Sequence, residues 1–221
     1  MQLSIIIPAL DEAESIIALL QQLQPLRTRG HEVILVDGGS KDETVALAEP
    51  LVDRLLITPT GRARQMNAGA TVANGQILWF VHADSGIPDK ADELIVKSDC
   101  NMWGRFNVHL SGDSILLRVV ERLMNLRSRI TGIATGDQGI FVSRTLFERI
   151  GGYADLPLME DVDLSKRLKR EQRPVCVQHT LTTSSRRWEQ RGIVRTIFLM
   201  WYLRLAWSLG VPAARLATHY E

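Results

Sequence analysis

The first ninety residues alternate short apolar runs with segments of helical character, and this alternation constrains the fold more than any other feature of the chain. The runs read LSIII, EVILV, RLLIT and QILWFVH. None of them alternates polar and apolar residues, which is typical of strands that are buried on both faces of a parallel sheet. The sequence therefore predicts an α/β fold with a Rossmann-like, mostly parallel central sheet flanked by helices.

The second half of the chain carries strand and helix signals in a less regular order. We predict strands in MWGRFNVHL, QGIFVS and PVCVQHT, and helices in RTLFERI and from Glu160 to Arg170. The segment SILLRVVERLMNLRSRI predicts an amphipathic helix. Its apolar side chains near one face are Leu116, Val119, Val120, Leu123 and Ile130.

Composition and charge set broad limits on function. Of 221 residues, 45% are hydrophobic and 23% are charged, as is usual for a globular protein, and the net charge of +1 argues against a nucleic-acid binder. Residues 1–110 carry nine Lys and Arg against fourteen Asp and Glu, whereas residues 111–221 carry seventeen against eleven. This asymmetry indicates either an anionic partner or membrane surface for the second half, or merely a difference between solvated faces.

The cysteines and the N-terminal segment bear on cellular location. Cys100 and Cys176 are far apart and form no CxxC pair, so we expect a reduced, cytoplasmic protein. The segment MQLSIIIPAL lacks the basic start and the long apolar stretch of a signal peptide, and it predicts a first strand instead.

Polar residues follow three of the predicted strands where each strand ends. Because the carboxyl ends of parallel strands meet at one edge of a sheet, where ligands bind in open α/β folds, we expect these residues to lie close together. They are Asp11 and Glu12 after the first strand, Asp37 to Ser40 after the second, and His82 and Asp84 after the fourth.

The chain lacks the glycine-rich motifs that bind phosphates through backbone N–H groups. Neither G-x-G-x-x-G nor G-x-x-x-x-G-K-[ST] occurs. A diphosphate would then be held by a divalent cation together with Arg or Lys. Asp84 is the candidate ligand for Mg²⁺ or Mn²⁺. Arg62 and Arg64 could supply positive charge, and Gly69 and Ala70 would let their helix pack closely.

Six segments together resemble the family 2 inverting glycosyltransferases of the A-type fold, over roughly residues 1–190. They are IIIPALDEAESI, VILVDGGSKDET, GRARQMNAGA, WFVHADS, GDQGIFVSRTLFERIGGY and MEDVDLSKRLKR. Within the family, the chain is most similar to short bacterial members, a branch labelled arsenosugar-biosynthesis or selenodomain-associated transferases. The resemblance implies a nucleotide-diphosphate sugar donor, most often on UDP, a divalent cation, and transfer to an acceptor hydroxyl with inversion.

The resemblance also implies roles for individual residues on the donor side. It places Pro8, Ala9, Leu10 and Glu12 along the nucleotide, with Asp37 and Gly38 at the base and Arg64 near the diphosphate. His82, Ala83 and Asp84 occupy the Asp-x-Asp position, in which Asp84 matches the direct metal ligand. His82 departs from that pattern, and its imidazole could bind the metal, hydrogen-bond the ribose, or only end the strand.

On the acceptor side, the resemblance implies that Asp161, preceded by Glu160, is the general base. The alternative is that both acids cap a helix. Desolvation by the flanking apolar residues would raise the pKa of Asp161. Asp137 and Gln138 match an acceptor-binding segment or form a turn. Arg187 and Trp188 match an element that contacts the leaving group, or are a solvated Arg beside a packed Trp.

We expect residues 1–190 to form the glycosyltransferase domain, with a nucleotide-sugar half (1–100), an acceptor half (101–190) and a tail (191–221). Residues 193–211 are strongly apolar but contain Arg195 and Arg204. They could pack on the core or a second copy, lie on a membrane surface, or cross a membrane, with the crossing disfavoured by Arg204. The acceptor could then be lipid-linked, and the enzyme could work at the inner face of the cell membrane. Two rival functions are nucleotidyl transfer and an inactive nucleotide-sugar-binding module.

Overall fold

A computed structural model describes residues 1–97 and 103–220, and their strands form one eight-stranded sheet in the order β3-β2-β1-β4-β7-β6-β8-β5. Cys100 lies outside the described residues. The strands are β1 (Leu3–Ala9), β2 (Glu32–Asp37), β3 (Arg54–Ile57), β4 (Ile77–Phe80), β5 (Ser85–Gly86), β6 (Trp103–Leu110), β7 (Phe141–Ser143) and β8 (Val175–Thr183).

Helices cover both faces of the sheet and form the C-terminal part of the chain. They are α1 (Ile16–Thr28), α2 (Thr44–Ala48), α3 (Arg62–Val72), α4 (Ala91–Val96), α5 (Ile115–Thr131), α6 (Arg144–Arg149), α7 (Glu160–Glu171), α8 (Arg186–Arg191), α9 (Ile193–Ser208) and α10 (Ala213–Tyr220). Short 3₁₀ turns occupy Glu49–Leu51 and Gly136–Gln138.

The α/β prediction is confirmed, and the parallel pairing is concentrated in the first half of the chain. Strands β1, β2, β3 and β4 pair in parallel, and every residue of β1, β2 and β4 is buried, which explains their unbroken apolar sequences. Strand β7 lies antiparallel between β4 and β6, so the sheet as a whole is mixed. The two predicted halves of the domain thus share one sheet.

The core has two layers, one on each face of the sheet. On one face, Leu19 and Leu23 of α1 pack with Ile5, and on the other Met66 of α3 packs with Ile6. Helix α3 approaches β1 closely because Gly69 has no side chain: an added Cβ would lie 2.5 Å from a methyl carbon of Ile6. The close packing expected from this glycine is therefore confirmed.

Helix α5 turns most of its predicted apolar face outward. Leu117 and Val120 are buried, whereas Leu116, Leu123 and Ile130 are 48%, 52% and 67% exposed. Periodicity groups side chains on one face, but it does not say whether another element covers that face.

The C-terminal helices pack on the domain through one side. Leu203 of α9 and Leu216 of α10 are buried in a cluster with Leu158 and Met159, which precede α7. Across residues 1–97 and 103–220, no helix combines the length and the apolar character that crossing a membrane requires.

Candidate active site

Two loops that follow β1 and β2 are fastened to each other at the edge of the sheet. The N–H of Asp11 donates to Ser40 Oγ at 2.9 Å, and the N–H of Glu12 donates to Thr44 Oγ1 at 2.8 Å. Asp11 adopts a φ of 52°, and its carboxylate accepts from the N–H of Lys41. Pro8 and Ala9 are buried, and Leu10 is exposed at the tip.

The carboxylate of Asp37 is almost fully buried and organises its own loop. It accepts hydrogen bonds from the N–H groups of Gly39 and Ser40, at 2.8 and 2.9 Å, and from the Ser40 hydroxyl. The N–H of Gly38 donates to the carbonyl of Ala9. Asp37 therefore stands at the same sheet edge as the ends of β1 and β4, but it lines neither of the cavities described next.

Asp84 follows β4 and lines an open cavity of about 280 Å³ that also contains Ser15, Thr183 and Arg186. Glu12 lies beside it: burial raises the pKa of Glu12, the hydrogen bond from Ser15 opposes that change, and the charge of Asp84 adds to it. Arg186 approaches Glu12 to 3.9 Å. The cavity is thus lined by one carboxylate and one cation, and the carboxylate of Glu12 lies near both.

A second cavity contains the acids at the start of α7. Asp161 accepts from the N–H of Gly136 at 2.9 Å and from the N–H of Val162 at 2.7 Å. Burial, and then the charge of Glu160, raises the pKa of Asp161 to about 6, while the Gly136 hydrogen bond opposes the change. Met159, with a φ of 69°, turns the chain into α7 at this point.

His82 lines the second cavity and lies two residues before Asp84, which lines the first and whose charge acts on it. Its Nδ1 lies 3.5 Å from an oxygen of Asp137, and its ring packs on Gly136, where an added Cβ would lie 2.4 Å from Nε2. Burial alone would lower the pKa of His82, but the hydrogen bond and charge of Asp137 outweigh it and raise that pKa. Ala83, buried at the turn, separates His82 from Asp84.

Arg62 and Arg64, the two arginines predicted to supply positive charge, lie in different places in the structure. Arg62 lines the Asp161 cavity, with Nε 3.3 Å from Glu160. Burial would lower the pKa of Arg62, but the charge of Glu160 raises it. Arg64 lines neither cavity, because its guanidinium forms a bidentate pair with Asp155 on the surface.

Two further predicted residues serve the protein interior. Gln138 is fully buried; its amide oxygen accepts from the N–H of Thr135 and its NH₂ contacts the Phe106 carbonyl, so it holds the turn and lines neither cavity. Trp188 packs on a cluster that includes Leu117 of α5 and also lines neither cavity. The side chain of Arg187 lies outside the described part of the chain.

Several residues of the site carry no motif by which the sequence could reveal them. Arg186 reaches the Asp84 cavity, where the motif had indicated Arg187. The C-terminal helices contribute Met200, Arg204 and Tyr220 to the Asp161 cavity. Their separation along the chain from the strand ends explains why spacing did not indicate them.

The carboxylate oxygens around Asp84 fit a cation that is held mainly by the phosphates of its substrate. Within the described residues, no group of three or more His, Cys, Asp or Glu side chains could hold a metal ion. Mg²⁺ bound to a substrate's phosphates needs only one or two carboxylates, which Asp84 and the neighbouring Glu12 supply. The site therefore suits a metal–diphosphate complex better than a free metal ion.

Comparison with solved structures defines the class of fold. S. aureus TarS 1–349 in complex with UDP-GlcNAc superimposes with a TM-score of 0.66 at 18% identity, over 83% of this chain and 58% of that one. The mannosyltransferase PcManGT from Pyrobaculum calidifontis, in complex with GDP-Man and Mn²⁺, gives 0.63 at 22% identity, over 92% and 60%. The chain has the A-type glycosyltransferase fold.

Sequence comparison then identifies the family. Residues 4–101 match glycosyl transferase family 2, and the chain belongs to this family. A PGL/p-HBAD biosynthesis glycosyltransferase of Mycobacterium bovis is 32% identical over 165 residues, which are 68% of this chain and 62% of that protein. An undecaprenyl-phosphate 4-deoxy-4-formamido-L-arabinose transferase of Yersinia enterocolitica is 29% identical, over 62% and 46%.

The chain thus spans about three fifths of the length of the first relative and less than half of the second. The family resemblance stated from the sequence is confirmed. The narrower resemblance to the arsenosugar-biosynthesis branch stays a prediction.

Proposed function

We propose that this protein is an inverting glycosyltransferase that moves a sugar from a nucleotide-diphosphate donor, UDP-linked, to an acceptor hydroxyl. The observation that carries the proposal is the position of His82, which lines the Asp161 cavity, lies two residues from Asp84 and interacts with the charge of Asp84. The Asp84 cavity has the charges for a diphosphate, and the Asp161 cavity holds a carboxylate with a raised pKa. The family, and the UDP-GlcNAc bound by TarS, support a nucleotide-sugar donor.

Asp161 is the proposed general base. Two backbone N–H groups fix its carboxylate, so one orientation faces the cavity. A pKa of about 6 makes it a stronger base than an ordinary Asp while leaving it ionised at neutral pH. It takes the proton of the acceptor hydroxyl as that oxygen attacks the anomeric carbon and the nucleoside diphosphate leaves from the opposite side.

Asp84, with Glu12 beside it, is the proposed holder of Mg²⁺ or Mn²⁺, and PcManGT with bound Mn²⁺ supports a divalent cation. When bound, the cation neutralises charge on the departing diphosphate. Arg186 adds positive charge in the same cavity. Asp37, Gly38 and the segment from Pro8 to Glu12 stay our proposed contacts for the nucleotide.

The proposed acceptor is lipid-linked, and the name of the Yersinia relative, which refers to undecaprenyl-phosphate, supports this substrate class. A cytoplasmic location at the inner face of the cell membrane belongs to the same proposal. Arg62 and Arg204 would face the acceptor together with Asp137.

The test is donor hydrolysis, which needs no knowledge of the acceptor. The full chain is incubated with a panel of UDP- and GDP-sugars and Mn²⁺, and the anomer released first is read by proton NMR. We expect hydrolysis of at least one UDP-sugar, with inverted configuration and with loss in the Asp161→Asn variant. Release with retained configuration, or equal rates in the variant, would contradict the mechanism.

A further inference from the structure

Two helices present apolar side chains to solvent. We call this surface the α5–α9 face and define it by six residues that are each 48–67% exposed. They are Leu116, Leu123 and Ile130 on α5, and Phe198, Trp201 and Leu205 on α9. Soluble proteins rarely expose contiguous apolar surface of this kind without an interaction partner.

The helices lie side by side, which makes their outward sides adjoin. Leu117 and Val120 of α5 pack in one cluster with Ile193 and Ile197 of α9. The six exposed residues recur at spacings of three, four and seven, so each helix shows one consistent face. The surface is therefore built from two packed helices and not from a frayed end.

The charged residues on the two helices indicate what kind of partner binds the face. Arg122, Arg129 and Arg195 are exposed on the same two helices, and no Asp or Glu of α5 or α9 is exposed within the described chain. The acid of α5, Glu121, turns inward to His109 and Arg118. A second copy that met this face through two-fold symmetry would bring like charges together, whereas anionic lipid headgroups complement them.

We propose that the α5–α9 face binds the surface of an anionic bilayer, with the apolar residues at the depth of the headgroups and with no segment crossing. Trp201 is 62% exposed on this face, and Trp is one of the residues enriched at membrane interfaces. This surface extends beyond residues 193–211, for which the sequence left core, second copy and membrane open.

Helix α9 also links this face to the candidate active site. While Trp201 and Leu205 point outward, Met200 and Arg204 line the cavity that contains Asp161. Bilayer binding would therefore hold the cavity next to the headgroups, where a lipid-linked acceptor presents its polar end. This last step rests on the proposed function, whereas the binding of the face to a bilayer does not.

The experiment is co-sedimentation of the full chain with vesicles, in the absence of any donor sugar. One set is phosphatidylcholine alone, and the other contains about one third phosphatidylglycerol. We expect binding to the anionic vesicles and at least roughly tenfold weaker binding for Leu123→Glu and for Phe198→Glu. The matched control is Ile57→Glu, because Ile57 is 69% exposed on β3, and it should bind like the unmodified chain.

Removing the exposed positive charges provides a second test of vesicle binding. Arg122→Gln and Arg195→Gln should each weaken binding to anionic vesicles roughly fivefold and leave the residual binding to neutral vesicles unchanged. Thermal unfolding followed by circular dichroism shows that each variant is folded. Because vesicle binding is measured without donor, its loss and a failure of glycosyl transfer are separate results.

Three outcomes would overturn the proposal. The first is that the unmodified chain does not bind anionic vesicles. The second is that Leu123→Glu and Phe198→Glu bind these vesicles as well as the Ile57→Glu control. The third is that sedimentation shows a stable dimer that Phe198→Glu dissociates, which would assign the face to a second copy.

Discussion

The raised pKa of Asp161 leads to a prediction about stability as well as activity. The unfolded chain ionises this carboxyl near its ordinary value of 3.8, whereas the folded protein ionises it at about 6. Between these values the folded state binds the proton more tightly, so the free energy of unfolding falls as pH rises through this range. The full difference corresponds to at most about 3 kcal/mol.

The Asp161→Asn variant removes this titration while keeping the size of the side chain. Asn carries an NH₂ group in place of one of the two oxygens that accept from Gly136 and Val162, so we expect some loss of stability near pH 4, on the order of 1–3 kcal/mol. The informative quantity is the change with pH. Relative to the unmodified protein, Asp161→Asn should gain up to about 3 kcal/mol between pH 4 and pH 8.

Urea unfolding of both proteins, followed by tryptophan fluorescence at several pH values, measures this difference directly. Asp113→Asn, which changes an exposed carboxylate outside the cavity, is the control and should follow the unmodified protein at every pH. Donor hydrolysis by the unmodified enzyme should rise through pH about 6 and then level. Parallel stability curves for Asp161→Asn and the unmodified protein would show that burial does not perturb the pKa of this carboxyl.

Three further predictions concern residues of the two cavities. Asp84→Asn should lower donor hydrolysis by roughly a hundredfold. It should also abolish the rise in Tm that UDP with Mn²⁺ produces, without changing the Tm of the free protein. A normal rise in Tm with UDP and Mn²⁺ would contradict the role of Asp84 as a metal ligand. Gly136→Ala should displace the His82 ring, because the new Cβ would lie 2.4 Å from Nε2, and we expect a loss of roughly 1–3 kcal/mol in urea unfolding, with slower hydrolysis. Arg62→Met should destabilise the fold by about 1–3 kcal/mol by leaving the buried Glu160 without its partner; an unchanged urea midpoint would show that the pair contributes nothing.

Local features of the helix starts illustrate where reasoning from sequence failed. Asp11, with Glu14 three residues later, is a pattern that caps a helix, but α1 begins only at Ile16, because Asp11 adopts a positive φ and its carboxylate bonds to the loop after β2. In the same way, the Ser40 hydroxyl bonds to Asp37 and does not cap α2. At Asp11 a hydrogen bond from Lys41, which is distant in the chain, replaced the local cap, and a local pattern cannot anticipate such a bond. At Ser40 the competing partner, Asp37, is only three residues away.

The α/β class, the buried strands of the first half and the acids at their ends follow from local sequence, because a strand that is covered on both faces must be apolar and must stop where polar residues begin. The insertion of β7 between β4 and β6, the pairing of Arg62 rather than Arg64 with Glu160, and the exposure of the apolar side of α5 follow from the folded arrangement. Periodicity and motifs describe neighbours along the chain. Pairing between residues as distant as Arg62 and Glu160 depends on how whole elements pack, and packing is a property of the folded molecule alone.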